Sequence, residues 1–314
     1  MELLETFEEL NKVKAPRVIT IGNFDGIHIG HQKLINKTIL DAKKLNLPSF
    51  IVSFFPHPRK VFARNAIKLI NTIEQKTEVF SQMDIDYLYI LKFQSELYEL
   101  SGRDFIEKIL FPKLKPKKIN IGYDFRFGKG GDGDYHLLTQ LGDKLGFYVE
   151  ELSPVMLDGE IVSSSAIRKY IINGDVKKAA RLLGKRYFME GKIVKGEGRG
   201  KTIGIPTTNL ASINELVPLC GVYATFLEHD NNFYPSITNI GYKPTFNNEA
   251  DEKTIETYIF YFDGNLYGEN IKLHFADRIR SEKKFNSVEE LIKQISQDIE
   301  EAKRIINNEP DNNR

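Results

Sequence analysis

His28 and His31 stand three residues apart in the run GNFDGIHIGHQ, Gly22 to Gln32, between an apolar stretch and a segment of helical periodicity. That spacing sets two imidazoles over one side of a helix's first turn. The amides of a first turn lack intrahelical acceptors and sit at the positive end of the helix dipole, so they favour an anion. Glycines beside them let backbone approach that anion closely. Hydrogen-bond donors gathered there would stabilise negative charge while a bond to phosphorus is made or broken. On these residues alone, a plain helix start carrying polar side chains fits equally well. A zinc site would need a Cys/His/Asp cluster at ligand spacing, and none accompanies the pair.

Three further stretches carry chemistry. IGYDFRFGKGGDG, Ile121 to Gly133, follows an apolar run and is rich in glycine around Arg126 and Lys129. It reads as a surface loop or as a wrap for a planar ring. VSSSAIR, Val162 to Arg168, puts three serines at a helix start with a guanidinium one turn later. That set suits a triphosphate, or a simple serine cap. GKIVKGEGRGKTIGIPTTNL, Gly191 to Leu210, has Gly196, Gly198, Gly200 and Gly204 freeing a loop that bears Lys195, Arg199 and Lys201. Such a loop can fold over phosphates, although it also reads as a turn into an edge strand. Thr207 and Asn209, two apart in an extended stretch, share a face and offer two neutral oxygens to Mg²⁺. No G-x-x-x-x-G-K-[ST] motif occurs in the chain.

These groups need elements to hold them. From Arg17 to about Gly184, apolar runs (RVITIGNF, SFIVSFF, DYLYILKF, KKINIGYDF) alternate with helical segments (HQKLINKTILDAKKL, SGRDFIEKILFPKL, DYHLLTQLGDKL, SAIRKYIING). That alternation predicts a doubly wound parallel sheet covered on both faces, with ligands at the strands' carboxyl ends. Beyond KKAARLLGKRYF the grammar becomes alternating residues with turn punctuation. GVYATFLEHDNNFYPSITNIG and ETYIFYFDGNLYGENIKLHFADRI read as hairpins turning at Asp230-Asn231-Asn232 and Asp263-Gly264-Asn265, and a compact antiparallel barrel follows. In NSVEELIKQISQDIEEAKRII, Ser287 and Glu290 predict a capping box, and Val288, Leu291, Ile292, Ile295, Ile299, Ala302 and Ile306 one packing stripe. The expected domains are therefore 1–184 and 185–314.

Bulk properties narrow the class. The chain has 314 residues, 41% apolar and 28% charged, with a net charge of +1. This is ordinary globular composition with no electrostatic signature of nucleic-acid binding. Cys220 is the one cysteine and reads as a small buried apolar residue in a reducing compartment. The acidic N-terminus does not resemble a secretory signal, and no apolar run approaches the ~20 residues of a membrane span. A cytoplasmic protein is expected.

Histidine-isoleucine-glycine-histidine is the signature of class I aminoacyl-tRNA synthetases and related nucleotidyltransferases. A synthetase would also carry a lysine-rich loop motif and a longer, more basic chain. The extended run GNFDGIHIGHQ, followed in order by SFFPHPRKVF, IGYDFRFGKGGDG and VSSSAIRKYI, resembles the adenylyltransferase half of bacterial bifunctional riboflavin kinase/FAD synthetases. The Gly196–Gly204 loop and the Pro-Thr-x-Asn motif Pro206–Asn209 resemble that family's riboflavin kinase domain. ITNIGYKPTF and LYGENIKLHFADRIRSEKKF also match family stretches, and the likeness runs from about Val18 to Ile305. The family more often has threonine at Ser165 and arginine at Ala166.

The resemblance implies two sites. In the first, His28 and His31 stabilise charge on the transferred phosphate, Gly22, Phe24, Asp25, Gly30, Ser164, Ser165 and Arg168 hold ATP, and Asp124, Phe125, Arg126 and Phe127 hold flavin. In the second, Glu256 is the base, Thr207 and Asn209 hold Mg²⁺, and Gly196, Gly198, Gly200, Lys201 and Gly204 hold ATP. From its residues alone, Glu256 in TIETYIFYF reads as a solvated edge carboxylate, and His57 in FPHP as a loop-shaping residue. Riboflavin would be phosphorylated to FMN, and FMN adenylylated to FAD plus pyrophosphate. The implied partners are these small molecules, with no nucleic acid, no membrane and at most weak self-association. A chain with one working half and a flavin-binding regulator without turnover are the rivals.

Overall fold

The structure is a computed structural model that describes residues 1–314 apart from 63–66, 197, 199, 201–203, 243–252 and 310–314. It divides into two compact units, Met1–Ser163 and Ser164–Arg314.

The first unit alternates strand and helix as its periodicity predicts: β1 (Glu2–Leu4), α1 (Phe7–Lys12), β2 (Arg17–Gly22), α2 (Ile29–Leu45), β3 (Ser49–Phe55), α3 (Pro58–Phe62), α4 (Ile73–Ser81), β4 (Tyr87–Lys92) and α5 (Ser95–Tyr98). Next comes α6 (Gly102–Asp104), which runs on as a π-helix over Phe105–Leu114, then β5 (Pro116–Gly122), α7 (Tyr135–Leu145), β6 (Tyr148–Leu152) and a ribbon of β7 (Met156–Leu157) with β8 (Glu160–Ile161). Six strands form one sheet in the order β1-β4-β3-β2-β5-β6, every pair parallel. Phe50 and Val52 join one core cluster and Ile51 the other, so the sheet is buried on both faces. The two edge strands escape the sequence reading: β1 is three residues long, and YVEEL of β6 carries two glutamates.

Arg17 fastens the start of β2. The residue is 1% exposed, and its guanidinium donates to the carbonyls of Leu10 in the last turn of α1, of Val13 and Lys14 just after it, and of Lys113 and Leu114 at the end of the π-helix. It also lies over the Phe50 ring at 4.9 Å. Helix C-termini leave carbonyls unsatisfied and favour a cation, so one side chain ends two helices and anchors the strand that leads to the histidines.

The second unit begins with α8 (Ser164–Ile172) and α9 (Val176–Leu183), and so includes two helices that the sequence reading assigned to residues 1–184. Close packing explains their attachment. A Cβ on Gly174, between the helices, would fall 2.7 Å from Cδ of Arg278, and Lys177 pairs with Asp277 at 3.2 Å. Then come β9 (Phe188–Val194), β10 (Thr208–Ser212), β11 (Gly221–His229), β12 (Asn232–Tyr242), β13 (Lys253–Ile259), β14 (Asn270–Arg280) and α10 (Val288–Asn307). The strands close as a barrel in the order β10-β13-β12-β11-β14-β9, every pair antiparallel. Inside it Thr225, Ser236, Thr238 and Thr257 join hydroxyl to hydroxyl at 2.8–2.9 Å, all buried.

Four expectations change here. The β11–β12 hairpin is present, its turn made by Asp230 and Asn231 with φ 50 and 62 and Asn232 already paired to His229. The second expected hairpin is not: β13 pairs with β10 and β12, whereas β14 pairs with β11 and β9. Its connecting segment instead sinks Phe260 and Leu266 into the core and carries the chain past two strands. At the last helix Ser287 accepts the Glu290 amide at 3.2 Å, but the Glu290 carboxylate takes the amide of Asn286, so the box is half made. The apolar stripe of α10 is buried only at its C-terminal end, at Ala302 and Ile306, while Val288 stays 55% exposed. Arg280–Asp298 and Arg186–Glu309 clamp that buried end to the unit. Cys220 is half-buried rather than buried.

Replacing Arg17 with Met should remove the donors from five carbonyls at two helix ends, two of these bonds buried, and lower the stability of the first unit by about 3 kcal/mol. Denaturant unfolding monitored on that unit would show it, and an unchanged midpoint would contradict the anchoring role.

Candidate functional site

The turn between β2 and α2 lies at the carboxyl end of the sheet, where parallel strands gather ligands. His28 is the N-cap of α2, and its Nδ1 accepts the His31 amide at 3.2 Å. A ring nitrogen that accepts carries no proton, so the proton of neutral His28 is on Nε2. The two imidazoles stack face to face with centroids 3.6 Å apart, and the edge of Phe24 meets His31 at 5.2 Å. Burial pushes His28 down to about 4; burial, the neighbouring His28 and the charge of Lys76 hold His31 well below the usual histidine range. The pair is thus two neutral donors at neutral pH, which fits the stacking, since two imidazolium rings at that separation would repel.

Gly22 and Gly30 serve this geometry. A Cβ on Gly22 would sit 3.1 Å from the Phe24 ring, and one on Gly30 would sit 3.1 Å from Nδ1 of His28. Phe24 is 1% exposed and packs edge-on to Phe80, so its ring belongs to the core. Asp25 is 2% exposed, and its carboxylate accepts the amides of Ile70 and Asn71 ahead of α4. Both residues therefore shape the turn, and neither side chain lies open to a phosphate. Phe24, Gly26 and Ile27 all have positive φ, of 49, 87 and 43. For a β-branched residue such as Ile27 that is a strained conformation, held by surrounding packing.

The glycine loop after β5 is closed by Phe127, which exchanges backbone hydrogen bonds with Gly133 and is 7% exposed in the core. Phe125 stacks on it at 5.5 Å and is half-buried, Arg126 pairs with Asp134 at 3.1 Å, and Asp124 is exposed. Of the four, Phe127 anchors the loop while the other three lie nearer its surface. His57 is buried and accepts the Arg59 amide, which matches its loop-shaping reading. Sequence reasoning passed over an aromatic group at the ends of β3 and β4: Phe62, 68% exposed, meets Phe93 and Tyr98 edge-on at 6.0 and 5.4 Å. The signal was present in SFFPHPRKVF, whose last residue is Phe62. Ser164, Ser165 and Arg168 occupy the first two turns of α8 and belong to the second unit.

In the barrel, register does the assembling. Asn209 of β10 lies directly opposite Glu256 of β13, and Asn239 of β12 lies opposite Glu256 on its other side. Opposed residues share a face. Thr257 points to the interior hydroxyl chain, so Glu256, half-buried, points outward with Asn209 and Asn239. Asn239 is the neighbour that no single-strand pattern could show. A Cβ on Gly196 would fall 2.0 Å from Nδ2 of Asn209, and one on Gly200 would fall 2.2 Å from the Ile205 carbonyl oxygen, so Gly196 makes room for the Asn209 side chain and Gly200 for the backbone leading to Thr207. Two neutral oxygens beside a carboxylate form a hard donor set that fits Mg²⁺ sharing its shell with phosphates. Gly198 and Gly204 have φ 72 and 77 and turn the loop, whereas Lys201 lies outside the described residues, as do Arg199 and Lys243–Phe246. Among the described residues no group of three His, Cys, Asp or Glu could hold a metal ion, and no helix is long and apolar enough to cross a membrane.

Residues 10–166 match the FAD synthetase family and residues 183–306 the riboflavin kinase family. The chain is 35% identical over 311 residues to the bifunctional riboflavin kinase/FMN adenylyltransferase of Buchnera aphidicola subsp. Schizaphis graminum, covering 98% of this chain and 99% of that one. It is 38% identical over 305 residues to the protein of that name from Bacillus subtilis, covering 95% of each. A crystal structure described as a macrolide-efflux protein from Streptococcus pneumoniae superposes with a TM-score of 0.86 at 29% identity, covering 96% of this chain and 98% of that one. Efflux is said of that protein; what the two chains share is the parallel sheet followed by the closed barrel. Both halves of the sequence, in the same order and over nearly the full length of the relatives, lead to one assignment: this chain belongs to the bifunctional riboflavin kinase/FMN adenylyltransferase family.

Proposed function

We propose that this chain makes FAD in two steps, each at its own site, and that the residues act as follows. In the kinase site Glu256 takes the proton of the ribityl 5′-hydroxyl of riboflavin as that oxygen attacks the γ-phosphorus of ATP; FMN forms and ADP leaves. Thr207 and Asn209 hold Mg²⁺, which neutralises phosphate charge when bound, and Gly196, Gly198, Gly200, Lys201 and Gly204 fold over the phosphates. The observation that carries this reading is the register of β10 on β13, which sets Asn209 against Glu256. A base must lie within reach of the hydroxyl next to the metal ligands, and this pairing supports that arrangement.

In the adenylyl-transfer site a phosphate oxygen of FMN attacks the α-phosphorus of a second ATP, and pyrophosphate leaves. His28 and His31 donate hydrogen bonds as neutral imidazoles, and the first-turn amides of α2 that His28 does not cap add backbone donors. Gly22 and Gly30 permit close approach, Phe24 and Asp25 keep the turn in shape, and Ser164, Ser165 and Arg168 take triphosphate oxygens. The flavin ring rests between the loop residues Asp124, Phe125 and Arg126 and the aromatic group of Phe62, Phe93 and Tyr98, with Phe127 as the loop's anchor. The functional domains are residues 1–184 and 185–314. The enzyme works in the cytoplasm on small molecules, without nucleic acid or membrane, and self-associates weakly at most.

Two outcomes follow. His28→Ala should lower FAD formation about 100-fold or more and leave FMN formation intact. Glu256→Gln should lower FMN formation about 100-fold or more and leave adenylylation of supplied FMN intact. Chromatography of both products decides, and a parallel loss in a folded variant would refute two separate sites.

A third outcome concerns acid. His28 is neutral in the fold down to about 4 but protonates near 6.5 when unfolded. The unfolded chain therefore binds the extra proton first, so stability is constant above 6.5 and falls between 6.5 and about 4. The heat-unfolding midpoint of the first unit should drop across that window, and His28→Asn should weaken the dependence, leaving the part due to His31.

A further inference from the structure

Lys76 projects from α4 and is 7% exposed, an unusual setting for an ammonium group. Its Nζ donates to the carbonyl of Asn23 at 2.8 Å, within the turn that carries the histidines. Asp25, whose charge acts on Lys76, accepts the amides of Ile70 and Asn71. The turn is therefore held from one element in two ways, through Asp25 on the backbone ahead of α4 and through Lys76 on α4 itself. Three buried polar atoms of the same region, Asn23 Oδ1, Asn71 Oδ1 and His31 Nδ1, are answered by no partner among the described residues, and Asn71 is 6% exposed. Burying both a cation and unanswered polar atoms costs stability. A fold retains such a group where it serves a ligand more readily than where it serves packing alone.

Charge sharpens the point. His28 and His31 stack at 3.6 Å, and Nδ1 of His28 is occupied by a backbone amide. The charges that bear on His31 are those of His28, at the start of its own helix, and of Lys76 on α4, and Asp25 bears in turn on Lys76. A triphosphate brings several negative charges, and two neutral rings supply hydrogen bonds but no net charge against them. We propose that Lys76 is a positioning residue of the adenylyl-transfer site: from behind the Gly22–His31 turn it holds the Asn23 carbonyl and supplies the fixed positive field in which the stacked imidazoles act as uncharged donors toward ATP. This rests on the reading of that site as an adenylyl-transfer centre.

The test uses the full chain with Lys76→Met, Lys76→Gln and Lys76→Arg. Glutamine retains a donor for Asn23 but no charge, and arginine retains the charge. Methionine and glutamine should each lower kcat for FAD formation about 100-fold, with FMN formation by the same molecules as an internal control. Both should raise the His31 titration midpoint, read by NMR on labelled histidine, by about one pH unit, and arginine should restore both readouts. Wild-type kcat and midpoint in the glutamine variant would overturn the proposal, because Lys76 would then be a peg alone. Loss of the first unit's unfolding transition in both uncharged variants would also overturn it, since the role would be in folding. If the unaltered chain forms no FAD from FMN and ATP, the adenylyl-transfer reading fails by itself; the His31 midpoint still decides whether Lys76 sets the field there.

Discussion

A buried backbone amide or carbonyl must find a partner, and this demand organises both units. The first unit meets it with charged side chains turned inward. Arg17 answers the carbonyls at two helix ends and Asp25 the amides ahead of α4. The second unit meets it by closing six strands on themselves, which leaves the barrel no edge.

The two solutions suit two chemistries. A helix start after a left-handed turn presents amides and imidazoles to one point, which favours charge developing on a single phosphorus. A barrel face presents side chains from adjacent strands in a row, which suits a hydroxyl, a metal ion and a phosphate chain in line. The interior hydroxyl chain from Ser236 through Thr225 and Thr238 to Thr257 ties β11, β12 and β13 together, and a slip of one residue would turn Glu256 inward.

Much of this was legible in the sequence. The β2–turn–α2 unit follows from apolar run, glycines and helical periodicity, and the strands and helices of both halves fall close to where their periods put them. The glycine loop after β9 and the paired Thr207 and Asn209 were visible as spacing. Other features were not, and the reason is the same each time. Phe24, Phe127 and Asp25 look like ligand-binding residues beside a glycine turn, yet they are buried by side chains distant in the chain, Phe80, Phe105 and the amides of Ile70 and Asn71. Lys76 reads as one charge among many on an amphipathic helix until tertiary packing turns it beneath the turn.

The hairpin expected at Asp263-Gly264-Asn265 shows the limit most plainly. Turn residues between two alternating runs say that the chain reverses, not which strand it reverses against. Barrel closure decided that β13 and β14 lie apart and that Glu256 meets Asn209 and Asn239. The sequence by itself determined the two domain types, the identity of the chemical groups and their order along the chain, because these depend on local periodicity and residue type. Only the tertiary structure decided which groups share a face and which are buried, because these depend on contacts between residues far apart in the chain.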